Sequence, residues 1–434
     1  MGSKIVREAT IILIAATLIL AGCAGGAQPV QDLEPLTLRF GFPFQTSDAP
    51  PQLAEAIERF EQEHPYVTVE IRGSSAAPPF YPSTGMIEAL QLDAFLWGPD
   101  PTLVAGEQPL VLGLEPFIGG KPGFDEEDFL PHLLDVFRWE GQPYAIPADV
   151  DVGVMYYNRD EFDAQGVAYP QPDWDWQDLL NTAQQLTTVA GEGEAQSGHW
   201  GFVAHSISGD IFPFVLQHGG TLFNDPFKPT HLVFDDLLAA EAVQWYADLG
   251  LVYKVMPVVE RYQVDEHSRV PTDKFSLQEA AMVIDGVGVR GGDIVPWDFE
   301  WGVAPLPRDQ AYGTWVWPRA YYIATRTEHP QEAWALVRSL SESEQEVTGV
   351  LPARRSVAES DAFRLRMGTE VANAALAAFD GDARFVVWYW NDAFFRMFRS
   401  LVDQSYWVVT GDATAAEMLD RLQKDLAGWT MGWP

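Results

Sequence analysis

Leu36-Thr37-Leu38-Arg39-Phe40 begins the patterned part of the chain. Leu53, Ile57 and Phe60 then recur at helical spacing, and His64-Pro65 leads into Val67-Thr68-Val69-Glu70-Ile71. That stretch decides the fold. Alternation of apolar and polar residues marks two strands, each with one face turned inward. The three-to-four-residue spacing between them marks a helix with one apolar stripe, and a proline stops it. A strand, a helix and a strand in this order predict a parallel sheet covered by helices, hence an α/β fold.

The same grammar recurs downstream. Tyr144-Ala145-Ile146-Pro147 and Val152-Gly153-Val154-Met155-Tyr156-Tyr157 are strand-like, as is Ala280-Ala281-Met282-Val283-Ile284. Residues 178–186 and 239–249 are helical in pattern, and Ala333, Leu336, Val337 and Leu340 form one apolar helical face. Thr414-Ala415-Ala416-Glu417 has the form of a capping box, with Leu419, Leu422 and Leu426 behind it. The chain has 434 residues, 47% of them hydrophobic, enough to bury a substantial core and to form two domains.

Upstream of the patterned region, Lys4 and Arg7 precede an apolar run from Ile11 to Leu20, which ends in Leu20-Ala21-Gly22-Cys23. The run is too short for a permanent span and reads as an export signal. The small residues before the single cysteine resemble a bacterial lipobox. Residues 1–22 are thus expected to be removed and Cys23 acylated, tethering the exported protein to the outer face of a membrane. Residues 24–35, small and proline-containing, complete a flexible spacer over 23–35.

Composition narrows the function. The formal net charge is -35, and losing Lys4, Arg7 and Glu8 with the signal makes it -36. Such acidity argues against nucleic acid and against polyanionic ligands. Cys23 is the only cysteine, so no internal disulfide, thiolate metal cage or cysteine nucleophile exists. No H-E-x-x-H or G-x-S-x-G is present. Gly286-Val287-Gly288-Val289-Arg290-Gly291 matches G-x-G-x-x-G formally, but Gly292 and Pro296 follow where a phosphate-binding helix would have to begin. Asp149-Val150-Asp151 lacks the glycine and the terminal glutamate of a calcium loop. No metal or cofactor is implied. Sixteen tryptophans are a surplus of flat side chains that suits a ligand with apolar faces and polar edges, such as a sugar ring.

Taken in order, six segments resemble the extracellular solute-binding proteins of ABC importers, the family that includes maltose-binding protein. They are residues 60–71; Tyr144–Pro147 with Tyr156-Tyr157-Asn158-Arg159-Asp160; Trp174-Asp175-Trp176-Gln177-Asp178-Leu179, where Asp175 stands as N-cap; Phe275 with residues 279–286; residues 301–307; and Leu351-Pro352-Ala353-Arg354. The resemblance implies a two-lobed, type II periplasmic-binding-protein-like clamshell whose discontinuous lobes meet at a multi-strand hinge. The first lobe is expected over 36–148 plus 286–326 and the second over 151–284 plus 330–434. Crossings are placed near 148–151, 285–288 and 325–330.

The resemblance further implies a binding role without catalysis. A carbohydrate would be enclosed between the lobes and delivered by a monomer to the transmembrane subunits of an ABC permease. Trp97 looks like the family's aromatic platform and Asp100 like its hydroxyl acceptor. Asp149 and Asp151 share one strand face at the first crossing, with Asp151 favoured. Phe44 and Gln45 follow the first strand, and Asp210 and Phe212 precede Gln217-His218-Gly219-Gly220. Trp315 and Trp317 share a strand face. Of Trp388, Tyr389 and Trp390, which cannot all face one way, Trp388 or Trp390 is expected at the ligand. Gly288 stands where several relatives carry tryptophan, so a platform is missing there, and Arg290 is the candidate to compensate. Two alternatives remain open: the same fold holding a polyol, peptide or polyamine, and a secreted carbohydrate-active enzyme.

Overall fold

The computed structural model describes residues 34–42, 50–73, 87–88, 90–105, 108–118, 124–190, 197–204, 210–233, 237–258, 270–292, 296–343 and 350–430. The signal, Cys23, Phe44 and Gln45 lie outside these residues. From Thr37 onward the chain forms one compact unit.

The opening forms as its pattern dictates. Strand β1 (Leu36–Phe42) buries Leu38 and Phe40 completely. Helix α1 (Pro51–Glu63) has its proline at the first helical position, where a missing N–H costs nothing, and buries Leu53, Ala56, Ile57 and Phe60. It stops at His64, whose backbone N–H donates to Phe60 O. Strand β2 (Val67–Gly73) follows, and β3 (Ala94–Trp97) runs parallel to β1, with Phe40 beside Ala94. All four β3 residues are buried, as expected for a strand covered on both faces.

The organising element is β4 (Ala145–Asn158), fourteen residues and therefore about 45 Å long, enough to serve two sheets in succession. Helix α2 (Trp176–Leu186) starts at Asp175, where the reciprocal capping box with Asp178 is complete. After β5 (Val203–Ala204), α3 (Ile211–Gln217) and α4 (Leu237–Leu251), the chain enters β6 (Met282–Gly286), β7 (Trp301–Ala304) and β8 (Gly313–Ile323). Helix α5 (Pro330–Ser341), β9 (Leu351–Pro352), β10 (Arg384–Val387), α6 (Asp392–Val409) and α7 (Ala415–Asp425) complete the elements needed below. The capping box read at Thr414 and Glu417 is present at the start of α7.

Strand order is β2-β1-β3-β8-β4-β6-β5, with β7 and β9 also on β4 and β10 on β8. The first half of β4 pairs antiparallel with β8. Its second half pairs antiparallel with β6 and β7. One strand thus passes from one group of strands to another, and its change of partners falls at residues 149–153.

These pairings group the later segments differently from the expected partition. Strand β6 ends with Gly286 opposite Gly153, and β7 then pairs with the same far half of β4, Ala304 facing Met155. The segments on either side of residues 287–300 thus pair with the same half of β4. The chain returns in β8, whose start pairs with β10 and whose end pairs with β3. Helix α5 then packs on α1 and β8, which places 330–341 with the first group. Strand β9 comes back to the crossing, Leu351 facing Val150. An apolar strand pattern says that a segment is buried, not which neighbour buries it.

Candidate functional site

The crossing strands assemble one candidate face. Trp317 is opposite Asp151 and Arg319 opposite Asp149, with a register irregularity immediately after Arg319. Strand alternation places Asp149, Asp151 and Gly153 on one face of β4, and Arg319, Trp317 and Trp315 beside them on β8. Trp315 lies directly on the Gly153 backbone.

Asp149 has a charged partner. The Arg319 Nε donates to its Oδ1 at 2.7 Å, and both side chains are buried. This pair ties β4 to β8 at the point where β4 changes partners. Asp151 is held differently. It accepts from the Gly288 N–H at 3.1 Å and from the Val152 N–H at 3.0 Å. Burial pushes its carboxyl up to about 6; the Gly288 bond and Arg319 oppose this, while the nearby charge of Asp285 adds to it. A Cβ on Gly286 would lie 2.5 Å from Asp151 Oδ2, and one on Gly288 would lie 3.3 Å away. Glycine at these positions is what lets the carboxylate approach the backbone after β6. Arg290, from the same turn, reaches back toward the Val287 carbonyl at 3.5 Å.

Beside this face four tryptophans meet. Trp97 ends β3, Trp317 lies on β8, and Trp388 and Trp390 follow β10. The backbone fixes the last two: the Trp388 N–H donates to Val316 O at 3.0 Å and the Trp390 N–H to Pro99 O at 2.9 Å. Trp97 meets Trp390 edge-to-face at 4.5 Å between centroids. Trp390 meets Trp317 in the same manner at 5.5 Å, and Trp317 stacks on Trp388 at 5.6 Å with 23° between planes. Gly98 makes the first contact possible, since a Cβ there would lie 2.3 Å from Trp390 Cδ1. Trp97 is 3% and Trp390 9% exposed. The indole Nε1 of each of the four is buried without a hydrogen-bond partner.

The structure places the remaining candidates as follows. Asp100 is buried and accepts from the N–H and hydroxyl of Thr102 at 2.9 and 2.7 Å, capping the turn at Pro101–Leu103. Burial lifts its carboxyl to about 6, with those bonds opposing and Asp392 adding. Asp210 is buried at the start of α3, and Phe212 is wholly buried as core. Tyr389 turns away from its neighbours and donates through its hydroxyl to Phe227 O. Trp388 and Trp390 both enter the tryptophan cluster.

Three contributors were not singled out from the sequence. Arg319 was hidden because its partner lies 170 residues away; its signal is a lone base inside an aromatic strand, two residues past Trp317. Asp285 is the penultimate residue of β6, buried, its Oδ1 accepting from the Gly286 N–H. Gln217 is wholly buried, accepts from Trp176 Nε1 at 2.7 Å and donates to Gly313 O at 2.8 Å, fixing the start of β8. A glutamine within an apolar helix followed by two glycines is the sign that was available. No cluster of three metal-ligating side chains occurs among the described residues.

Comparison with known proteins places this geometry. A bacterial extracellular solute-binding protein model matches residues 45–347, well over half of the chain. A binding protein of Brucella abortus is 23% identical over 281 residues, which is 61% of this chain and 63% of that protein; the match thus spans less than two thirds of the relative. An arabinooligosaccharide-binding protein of Halalkalibacterium halodurans is 24% identical over 48% of this chain and 41% of its own length. Among solved structures, an ABC substrate-binding protein of Listeria monocytogenes in complex with cycloalternan superposes with a TM-score of 0.68 at 19% identity, covering 91% of this chain and all of that one. UgpB of Mycobacterium tuberculosis in complex with glycerophosphocholine gives 0.68 at 17% identity, over 91% and 98%. These likenesses show the two-lobed periplasmic-binding-protein-like α/β fold; in this chain one long strand, β4, is shared by two strand groups. By its matched residues and by its fold, the chain belongs to the bacterial extracellular solute-binding protein family.

Proposed function

We propose that this protein captures a neutral carbohydrate on the β4–β8 face and hands it intact to the transmembrane subunits of an ABC importer. One observation carries the reading: four tryptophans whose indole N–H groups are buried and unpartnered adjoin a carboxylate where β4 changes partners. Indole N–H groups and a carboxylate are complementary to hydroxyl and ring oxygens. Charge supports neutrality of the ligand. Arg319 is matched by Asp149, and Asp151 and Asp285 leave the surroundings acidic, which disfavours a phosphate-bearing ligand such as the one held by UgpB. An amine needs free aromatic faces. Here Trp317 is stacked on Trp388, and Trp390 is set edge-to-face with Trp97 and Trp317, while the indole N–H groups keep no partner.

The lobes of this proposal follow the pairings. Residues up to about 149 form one lobe with the end of β8, α5 and the segment up to β9. The far half of β4 through the start of β8, together with β10, α6 and α7, forms the other. Ligand bridging both shifts the population toward a closed form that the permease recognises. The protein acts as a monomer, exported and held at the outer face of the cell membrane through lipid on Cys23. No bond of the ligand is broken. Neutral mono- to trisaccharides, choline and spermidine, titrated calorimetrically at low and high salt, test the reading. A sugar should bind with little salt dependence, because no ion pair forms. Heat from the amines alone, weakening as salt rises, refutes it.

A further inference from the structure

We infer that this protein grips its ligand by the edges of its tryptophans, four indole N–H groups donating to ligand oxygens, and not by laying a sugar ring on an aromatic platform. This rests on the carbohydrate reading above and specifies how the same site works.

The molecule contains its own comparison. Elsewhere in the fold, four tryptophans have their N–H satisfied. Trp174 donates to Pro305 O at 2.8 Å and Trp176 to Gln217 Oε1 at 2.7 Å. Trp297 donates to Ser276 Oγ at 3.0 Å and Trp429 to Ala393 O at 2.8 Å. Trp97, Trp317, Trp388 and Trp390 depart from this together, and ring contacts link them in the order Trp97, Trp390, Trp317, Trp388. A buried donor without an acceptor is costly, so four in one cluster is not a by-product of packing. Their rings are also turned partly to one another: Trp317 stacks on Trp388, and Trp390 is set edge-to-face with both Trp97 and Trp317. What the cluster lacks is acceptors. An indole N–H donates and cannot accept, so the complement is a molecule presenting several oxygens close together, as vicinal hydroxyl and ring oxygens do. Asp151 supplies the opposite polarity, accepting from a hydroxyl.

The discriminating substitution keeps the ring and removes the donor. Trp97→Phe and Trp390→Phe retain an aromatic face, so a stacking platform would bind nearly as before. Edge donation predicts that each loses roughly five- to tenfold in affinity, the effect of removing one hydrogen bond. Calorimetry with glucose, arabinose, maltose and maltotriose on the wild type and both variants reads this. Nitrogen-15 spectra of indole-labelled wild type, titrated with the same sugars, read it without any substitution: the four N–H protons should move downfield on binding. If a sugar binds the wild type while the Phe variants match it and the indole N–H signals stay fixed, edge donation is overturned and the carbohydrate reading stands. If none of the sugars binds, both fall.

Discussion

Gly98→Ala is the sharpest structural test of the tryptophan cluster. The added methyl would lie 2.3 Å from Trp390 Cδ1, 2.4 Å from Nε1 and 2.5 Å from Cγ. Carbon atoms in contact sit about 3.5–4.0 Å apart, so the indole must retreat by more than about 1 Å. It has nowhere close to go. Trp97 stands edge-on at 4.5 Å, Trp317 at 5.5 Å, and the Trp390 backbone is tied to Pro99. Forcing a methyl into such packing costs about 1–3 kcal/mol. Because the displaced ring belongs to the proposed site, affinity should fall by roughly tenfold or more, the loss that goes with about 1.4 kcal/mol of misplaced contact. Gly113→Ala is the matched control, since its nearest neighbours would be 3.8 and 3.9 Å away, ordinary contact distance. Urea denaturation and calorimetric titration of both variants decide the matter. If Gly98→Ala is as stable and binds as tightly as Gly113→Ala, the cluster is not rigidly packed and does not shape the site.

Three further outcomes follow from particular residues. The Asp151 carboxyl is raised to about 6 against an ordinary 3.8, so between these values the folded state holds more protons than the unfolded one. Its contribution to stability therefore falls as pH rises from about 4 to about 6 and is level above, and Asp151→Asn removes that slope. The stability of Asp151→Asn relative to wild type should climb over this window in urea titrations; a difference independent of pH contradicts the burial argument. Cys23→Ser should yield protein that is uncleaved or released from membranes, as fractionation would show, and a variant retained like wild type ends the lipid-anchor proposal. Saturating sugar should reduce the radius of gyration in small-angle scattering if the lobes close upon it, and an unchanged profile at proven saturation removes the closure mechanism while leaving binding intact.

Much of the local structure was legible in the residues alone. Alternation at Leu36–Phe40 and Val67–Ile71, and helical spacing at Leu53, Ile57 and Phe60, specify β1, α1 and β2, because each pattern states which side of a segment avoids water. Asp175 and Thr414 mark helix starts through hydrogen bonds made within three residues. The ordered set of motifs, including the run through Tyr156-Tyr157-Asn158, pointed to the family. Tertiary structure decided the rest, since periodicity names a buried face but not its neighbour. Nothing near Trp301 says that β7 returns to β4, and nothing in the α5 pattern says that it packs on α1. Asp149 and Asp151 share one strand face, yet the first is paired with Arg319 from 170 residues away and the second is held by Gly288 from 137 residues away. Trp97 and Trp390 lie far apart in the chain and meet only because β3, β8 and β10 adjoin in one sheet and Gly98 leaves space for an indole. Such contacts are set by which strands pair, a choice made by the whole core at once and written in no single segment.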